Sequence, residues 1–186
     1  MQPAFFMAIF APSTRAYGKL HGCPHKLMLV DPNKKRSSKP LRLLDIREVW
    51  DTVMDEKLID EFLEKRNVFA VVGASRDHRK YGHQVYRDLR TAGYNVYPVN
   101  PNADEILGDK CYPSLESLPE KPQVVDLVVP PKATNQIVKV CKKLGIEKVW
   151  MQPGSESEIA LDFCKHNNIE VIHGVCIMVE RRSKKN

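Results

Sequence analysis

The segment from Val68 to Gly82 contains residue types whose spacing suits the binding of a phosphate group. Its sequence is VFAVVGASRDHRKYG, an apolar run that ends at Gly73 and leads into Ser75. A glycine allows a sharp turn after a strand, and backbone N–H groups before a helix can donate to phosphate oxygens. The positive charges nearby are those of Arg76, Arg79 and Lys80. The turn therefore predicts a phosphate-type ligand, although the basic residues are equally compatible with a solvated surface.

The same segment departs from the pattern of sites for nicotinamide or flavin dinucleotides. Those sites usually read Gly-x-Gly-x-x-Gly and place a carboxylate after the second strand, where it binds the ribose. Here Ser75 stands at the second glycine position, and the second apolar run ends in Val99-Asn100-Pro101 without a carboxylate. An NAD(P)-binding oxidoreductase or redox-sensing module is the alternative interpretation, and both departures count against it.

Cysteine and histidine offer weaker candidates for chemistry. Cys176 lies shortly after His173 and could be a nucleophile, but a cysteine after a buried strand is more often a small apolar residue. The segment 21–25 has two histidines and a cysteine but lacks the fourth ligand of a closed zinc site. His83 is expected at the surface. We predict neither a catalytic residue nor a metal site.

Apolar periodicity after residue 54 predicts strands that alternate with helices. Short apolar runs predict strands at 68–72, 94–101, 124–129, 148–151 and 169–174, with a short edge strand at 111–112. Helical spacing predicts one helix after Asp55 and two more over 85–92 and 133–144. A capping box formed by Ser155 and Glu158 is expected to open a fourth helix, with Ile159 facing inward.

This alternation predicts an α/β fold, a three-layer Rossmann-like arrangement with a doubly wound, mainly parallel sheet of about five strands. The carboxyl ends of parallel strands meet at one edge, and ligands bind there where the strand order reverses. We expect that reversal between the strands at 68–73 and 124–129. The Gly- and Pro-rich segments that follow the strands should therefore line a single crevice.

Charge and composition divide the chain into a leader at 1–53 and a globular domain at 54–186. The leader has nine Lys/Arg against four Asp/Glu, a net charge of +5, whereas the domain has twenty against nineteen, a net charge of +1. We interpret the leader as disordered, as a transit peptide, or as artefactual, with Met54 as a plausible start. The nearly neutral domain argues against a nucleic-acid surface, which needs clustered cations.

The five cysteines are an odd number without a Cys-x-x-Cys pair, which favours a reducing cytoplasm. An organelle matrix is the alternative if residues 1–53 are a transit peptide. No apolar run approaches the roughly 20 residues of a membrane span, so we expect no membrane partner.

Several separate motifs of the domain together resemble a known family. They are VVGAS, KYG, GYNVYPVNPNADEILGDKCYPSLESLP, VVDLVVPP, VWMQPG and HGVC. In this order and spacing, over about residues 54–180, the chain resembles the small stand-alone CoA-binding proteins. These are similar to the CoA-binding domain of the succinyl-CoA synthetase alpha subunit.

The resemblance implies a binding protein for coenzyme A or an acyl-CoA, without the synthetase reaction. The implied ligand contacts are Gly73, Ala74, Ser75, Arg76, Lys80, Tyr81, Gly82, Val99, Asn100, Pro101, Val129, Pro130, Pro131, Lys132, Gln152, Pro153 and Cys176. In this set the turn at residues 73–76 would hold phosphates, 129–131 would pack on the adenine, and 152–153 would follow the pantetheine arm. Many relatives have Lys where this chain has Asn102, so a phosphate contact is lost or shifted to a nearby cation. The resemblance leaves the oligomeric state open, with a homo-oligomer as one option.

Overall fold

The computed structural model describes residues 17–19, 26–29, 44–45 and 56–184. The chain divides after Glu56 into two units. In the first unit, β1 (Tyr17–Lys19), β2 (Lys26–Leu29) and β3 (Leu44–Asp45) pair antiparallel in that order. The rest of the predicted leader and the His/Cys segment 21–25 lie outside the described residues, so the interpretation of residues 1–53 stays a prediction.

The second unit contains strands alternating with helices, as predicted. Its strands are β4 (Val68–Val72), β5 (Asn95–Val99), β6 (Glu105–Ile106), β7 (Asp109–Lys110), β8 (Val124–Leu127), β9 (Lys148–Met151) and β10 (Glu170–His173). Its helices are α1 at residues 56–62, α2 (Tyr81–Thr91), α3 (Pro131–Lys143), α4 (Glu158–His166) and α5 (Ile177–Ser183). No helix in the described ranges is both long and apolar enough to cross a bilayer.

Five of these strands form one parallel sheet with the spatial order β10-β9-β8-β4-β5. The order reverses between β4 and β8, as predicted. The two remaining strands, β6 and β7, form a separate antiparallel hairpin. The predicted edge strand at 111–112 is wrong, because only one bridge forms there, between Tyr112 and Val99.

Side chains that alternate along the strands build a core on each face of the sheet. One core contains Phe62, Tyr86 and Ile177, so it lies beneath α1, α2 and α5. The other contains Val138, Cys141 and Cys164, which come from α3 and α4. Both faces of the parallel sheet are thus covered, and the predicted three-layer α/β fold is confirmed.

The start of α4 differs from its prediction. Ser157 is the N-cap, and its Oγ accepts from the Ala160 N–H at 3.1 Å. The Ser155 Oγ instead accepts from the Val129 N–H at 3.2 Å, so this hydroxyl lies beside the end of β8 and not at the start of α4. The shift in register turns Ile159 outward, where its side chain is 68% exposed.

Candidate functional site

A cavity of about 380 Å³ opens where β4, β5 and β8 end, on the side of the sheet covered by α3. Five of the predicted contacts line it, namely Gly73, Val99, Asn100, Pro101 and Val129. The sequence did not indicate the other lining residues, which are Pro113, Ser114, Leu115, Glu116, Ala133, Ile137 and Val140, as well as Val72 at the end of β4. The position of the cavity at the strand-order reversal is that expected for a ligand site of an open α/β sheet.

The walls of the cavity are mainly aliphatic, and polar groups lie at a few positions. A short 3₁₀ helix, Leu115–Ser117, brings the Leu115 and Glu116 side chains to the cavity. This turn is held by reciprocal hydrogen bonds between Ser114 and Ser117. Hydrogen bonds from the backbone N–H of Glu116 and from the Ser114 hydroxyl lower the pKa of the Glu116 carboxyl, so it is an anion at neutral pH.

Two predicted glycines are required by close approach of the backbone to itself. Gly73 has φ of +94°, and a Cβ there would lie 2.1 Å from the Val128 carbonyl oxygen. A Cβ on Gly82, at the start of α2, would lie 2.0 Å from the Gly73 carbonyl oxygen. A side chain at position 73 would therefore collide with the backbone that follows β8. The two glycines let β4, β8 and α2 meet at one point beside the cavity.

Asn100 occupies the position at which dinucleotide sites usually have a carboxylate, and its amide joins two strand ends. Its Nδ2 donates to the Ala74 carbonyl oxygen at 2.6 Å, and its Oδ1 accepts from the Asn102 N–H at 2.9 Å. Its backbone N–H donates to the Tyr112 carbonyl oxygen at 2.8 Å. A carboxylate has no hydrogen to donate to Ala74, so the amide is needed to hold the turn after β4 against the turn after β5.

The predicted cations surround this edge but differ in how they are engaged. Arg76 is exposed and donates to the Asn102 carbonyl oxygen at 3.2 Å, so its charge lies beside position 102. Arg79 makes two hydrogen bonds of 3.1 Å to the Asp77 carboxylate, and these bonds lower the pKa of Asp77. Lys80, the N-cap residue of α2, and Lys132, in the first turn of α3, are exposed. Arg79 is thus neutralised, whereas Arg76, Lys80 and Lys132 provide positive charge.

The N-termini of α2 and α3 lie at this edge of the sheet. Within the described ranges, neither helix has a side-chain cap or an acidic residue in its first turn. In α3 the N-cap is Pro130, and Pro131 follows at the first position, where a proline sacrifices no hydrogen bond. Both prolines and Pro153 are exposed outside the cavity wall. The two uncapped ends leave partial positive charge at the strand ends.

Ser75 and His83 stabilise the turn between β4 and α2. The Ser75 Oγ accepts from the Asp77 N–H at 3.1 Å. His83 is buried, and its Nδ1 lies 2.8 Å from the Ser75 carbonyl oxygen, to which it must donate. The prediction that His83 lies at the surface is therefore wrong, because the start of α2 folds back on the turn and gives the imidazole a backbone partner.

A chain of polar side chains that we call the polar cluster consists of Tyr81, Asp126, Gln152 and Cys176. The Tyr81 hydroxyl lies 2.8 Å from the Cys176 Sγ and 3.2 Å from the Gln152 Oε1, and its single hydrogen can be donated to one acceptor at a time. The Gln152 Nε2 donates to the Asp126 Oδ1 at 2.8 Å. Gly82, which follows Tyr81 in the chain, contacts Gly73, and Gly73 lines the cavity. The polar cluster therefore begins next to the cavity.

Asp126 is the functional candidate that the sequence analysis overlooked. It is fully buried within β8, and its Oδ2 has no hydrogen-bond partner in the described part of the protein. Burial raises the pKa of its carboxyl to about 7, although the hydrogen bond from Gln152 acts in the opposite direction. Burial also raises the pKa of Tyr81, with a contribution from its bond to Cys176, so this hydroxyl stays protonated at neutral pH. The available signal was a single acidic residue inside the apolar run VVDLVV.

Comparison with known proteins relates the chain to two kinds of relatives. It is 30% identical over 121 residues to the uncharacterized protein YneT of Bacillus subtilis, covering 65% of this chain and 90% of that one. It is 36% identical over 93 residues to the alpha subunit of ADP-forming acetate–CoA ligase II of Pyrococcus furiosus. That match covers 50% of this chain but only 20% of the ligase subunit. With ADP-forming acetate–CoA ligase II of Archaeoglobus fulgidus the share of the relative is 12%.

Solved structures of similar size share the fold. A hypothetical protein from Pyrococcus horikoshii superimposes with a TM-score of 0.67 at 35% identity, covering 70% of this chain and 92% of that chain. A conserved hypothetical protein from Pyrococcus furiosus gives a TM-score of 0.59 at 46% identity, covering 61% and 98% of the two chains. The sequence profile of the family described as CoA binding domain matches residues 67–182, which contain every strand and helix described above from β4 to α5 apart from the last residue of α5. The chain therefore belongs to the CoA binding domain family.

Proposed function

We propose that this chain binds coenzyme A or an acyl-CoA at the carboxyl edge of its parallel sheet and catalyses no reaction by itself. The observation that carries the proposal is the cavity at the strand-order reversal, between β4, β5 and α3, in a member of the CoA binding domain family. Five of the seventeen residues that the resemblance implies as contacts line this cavity.

The shape and chemistry of the cavity support the nucleotide end of such a ligand. Its aliphatic walls, among them Val99, Val129 and Ile137, suit the faces of a planar adenine ring. The phosphates would then lie near the uncapped starts of α2 and α3, with Arg76, Lys80 and Lys132 as counter-charges. These cations are exposed, so their contribution should depend on ionic strength.

The second observation that favours CoA over a nicotinamide dinucleotide is the role of Asn100. Its amide is hydrogen-bonded to the Ala74 carbonyl oxygen and to the Asn102 N–H. The position at the end of β5 where a dinucleotide site has a carboxylate therefore holds an amide. The end of β5 therefore lacks the acidic group that usually holds the ribose hydroxyls of NAD.

The proposal that the chain is not an enzyme rests on what it shares with its relatives. The ADP-forming acetate–CoA ligases match this chain over a fifth of their length or less in the comparisons above, so most of each ligase has no counterpart in the match. Binding of the ligand is the activity that this shared part supports, and the fold by itself does not bring the ligase reaction. We propose the cytoplasm as its compartment, because free cysteines suit a reducing environment.

Calorimetric titration of the full chain tests the proposal. CoA and acetyl-CoA should bind, and NADH should bind at least about tenfold more weakly, a difference of about 1.4 kcal/mol. Tight binding of NADH without any response to CoA would instead favour the redox module. A parallel incubation with acetyl-CoA should leave the thioester intact, and steady release of the CoA thiol would contradict the absence of catalysis.

A further inference from the structure

Among the cysteines that the structure describes, Cys176 differs from the others in its exposure. Cys111, Cys141 and Cys164 are buried, and burial raises the pKa of each thiol, to about 12 for Cys141 and about 11 for Cys164. Cys176 is partly exposed and is the N-cap of α5, three residues beyond the end of β10. Because the thiolate is the reactive form, accessible Cys176 is the described thiol best suited to exchange with a small molecule.

A second observation concerns the groups that contact this thiol. The Tyr81 hydroxyl, 2.8 Å from the Cys176 Sγ, can donate its hydrogen to the sulfur and so fix the position of the sulfur. At the other end of the polar cluster, the fully buried Asp126 carboxylate retains an oxygen without a partner among the described residues. An unsatisfied buried oxygen is costly, so Asp126 Oδ2 needs a polar partner that the described residues do not supply.

The distance from the end of β4 to the end of β10, the strand that precedes Cys176, matches the reach of the proposed ligand. Strands in a sheet lie about 4.8 Å apart, so the end of β10 is three spacings, or about 14 Å, from the end of β4. The chain of atoms from the phosphate ester oxygen to the sulfur of CoA has as many bonds as the backbone of four residues, which extends to about 14 Å. A CoA whose diphosphate lies at the turn after β4 can therefore extend its sulfur as far as the end of β10, the strand that leads to Cys176.

We propose that Cys176 captures the thiol end of bound CoA as a mixed disulfide, by exchange with a disulfide that contains CoA. This inference rests on the proposed function. The Cys176 thiolate attacks the CoA sulfur, forming the Cys176–CoA bond while the original sulfur–sulfur bond breaks. The second thiol leaves with the electron pair and takes up a proton, so Cys176 is oxidised and the departing thiol is reduced. The reaction occurs once per chain and needs no further oxidant.

The test uses the full chain and two reagents, CoA disulfide and glutathione disulfide, followed by intact-mass and peptide mass spectrometry. We expect one CoA per chain on Cys176, removed by dithiothreitol, at a rate at least about tenfold above that of glutathione disulfide because the nucleotide holds the reagent in place. The variant Cys176→Ser should lose the adduct, and Tyr81→Phe should slow its formation. In wild-type protein, excess adenosine 3′,5′-diphosphate should compete with the CoA reagent but leave the glutathione reaction unchanged.

The outcomes separate this inference from the proposed function. If reduced CoA binds in the calorimetric titration but both disulfides react equally fast, or the adduct maps to another cysteine, the capture by Cys176 is wrong and the proposed function stands. If reduced CoA does not bind, both are wrong. The peptide map of the wild-type protein decides the point even if the Cys176→Ser variant fails to fold.

Discussion

At the scale of single residues, the amide of Asn100 explains why this sheet edge differs from a dinucleotide site. Its two polar atoms connect the Ala74 carbonyl oxygen to the Asn102 N–H, so the turns after β4 and β5 are held by one side chain. Only a side chain with both a donor and an acceptor can satisfy these two partners. Asn100, which stands where dinucleotide sites usually have a carboxylate, therefore holds the two turns of the site together.

This role predicts the effect of Asn100→Asp. The new carboxylate would face the Ala74 carbonyl oxygen without a hydrogen to donate, which should lower the free energy of unfolding by about 1–3 kcal/mol. Asn102→Asp, on the same turn but exposed, is the matched control and should change stability by less than about 0.5 kcal/mol. Urea denaturation of both variants measures the difference, and equal stability of the two would contradict the role given to Asn100.

Asp126 predicts a pH dependence of stability with a defined sign. Its pKa is raised to about 7 in the folded protein, whereas an unfolded chain gives about 3.9. Between these values the unfolded state releases a proton that the folded state keeps, so the contribution of Asp126 to stability is full below pH 4 and is lost as pH rises to 7. The loss should amount to a few kcal/mol, since each unit of pKa is 1.36 kcal/mol.

The variant Asp126→Asn isolates this contribution, because its amide does not titrate and its oxygen can still accept from Gln152. The stability of the variant relative to wild type should increase between pH 4 and 7 and remain constant above that range. Other carboxyl groups, such as Asp88 beside Arg181 and Arg182, have lowered pKa values and are unchanged in the comparison. A difference that does not vary with pH would show that Asp126 is ionised throughout.

At the scale of elements, the starts of α2 and α3 determine how the proposed site would hold an anion. Both helices begin at the edge where the strands end, and Lys80 and Lys132 lie at these starts. The partial positive charge of a helix falls off within its first turn, so a substitution should matter only there.

Charge reversal along α3 tests this dependence on position. Lys132→Glu should weaken CoA binding by about five- to tenfold at low salt and by less at high salt, because an exposed charge is screened. Lys139→Glu makes the same change on an exposed position two turns further along the helix and should have little effect. Titrations at two salt concentrations compare the variants, and equal losses would mean that net charge rather than the helix start controls binding.

The sequence predicted these elements well where the apolar periodicity and the turn residues at the ends of the elements agree. The apolar run 68–72 and the glycine after it locate β4 and its turn, and the similar run at 124–129 locates β8. It did not predict α5, a helix of seven residues whose Arg181 makes its ion pair with Asp88, 93 positions earlier in the chain. Nor did it predict the cavity wall at 113–116, because loop conformation depends on local bonds such as Ser114 to Ser117, which apolar spacing does not show.

At the scale of the whole molecule, the parallel sheet brings distant segments of the chain to one edge. The cavity combines residues from β4, β5 and α3, and the polar cluster adds residues that follow β9 and β10. The opposite edge has a smaller cavity of about 160 Å³, lined by residues 67, 121–123 and 145–148. The opposite edge, which has its own small cavity, can therefore serve as a control region of the same domain when ligand binding at the carboxyl edge is measured.

Hydrogen–deuterium exchange of the full chain, measured with and without CoA, determines which edge of the sheet binds the ligand. CoA should slow exchange in peptides covering residues 73–82, 99–101, 113–116 and 129–134, while peptides at 121–123 and 145–148 remain unchanged. Slower exchange confined to the opposite edge, or an equal effect at both edges, would contradict a CoA site at the carboxyl ends of β4, β5 and β8.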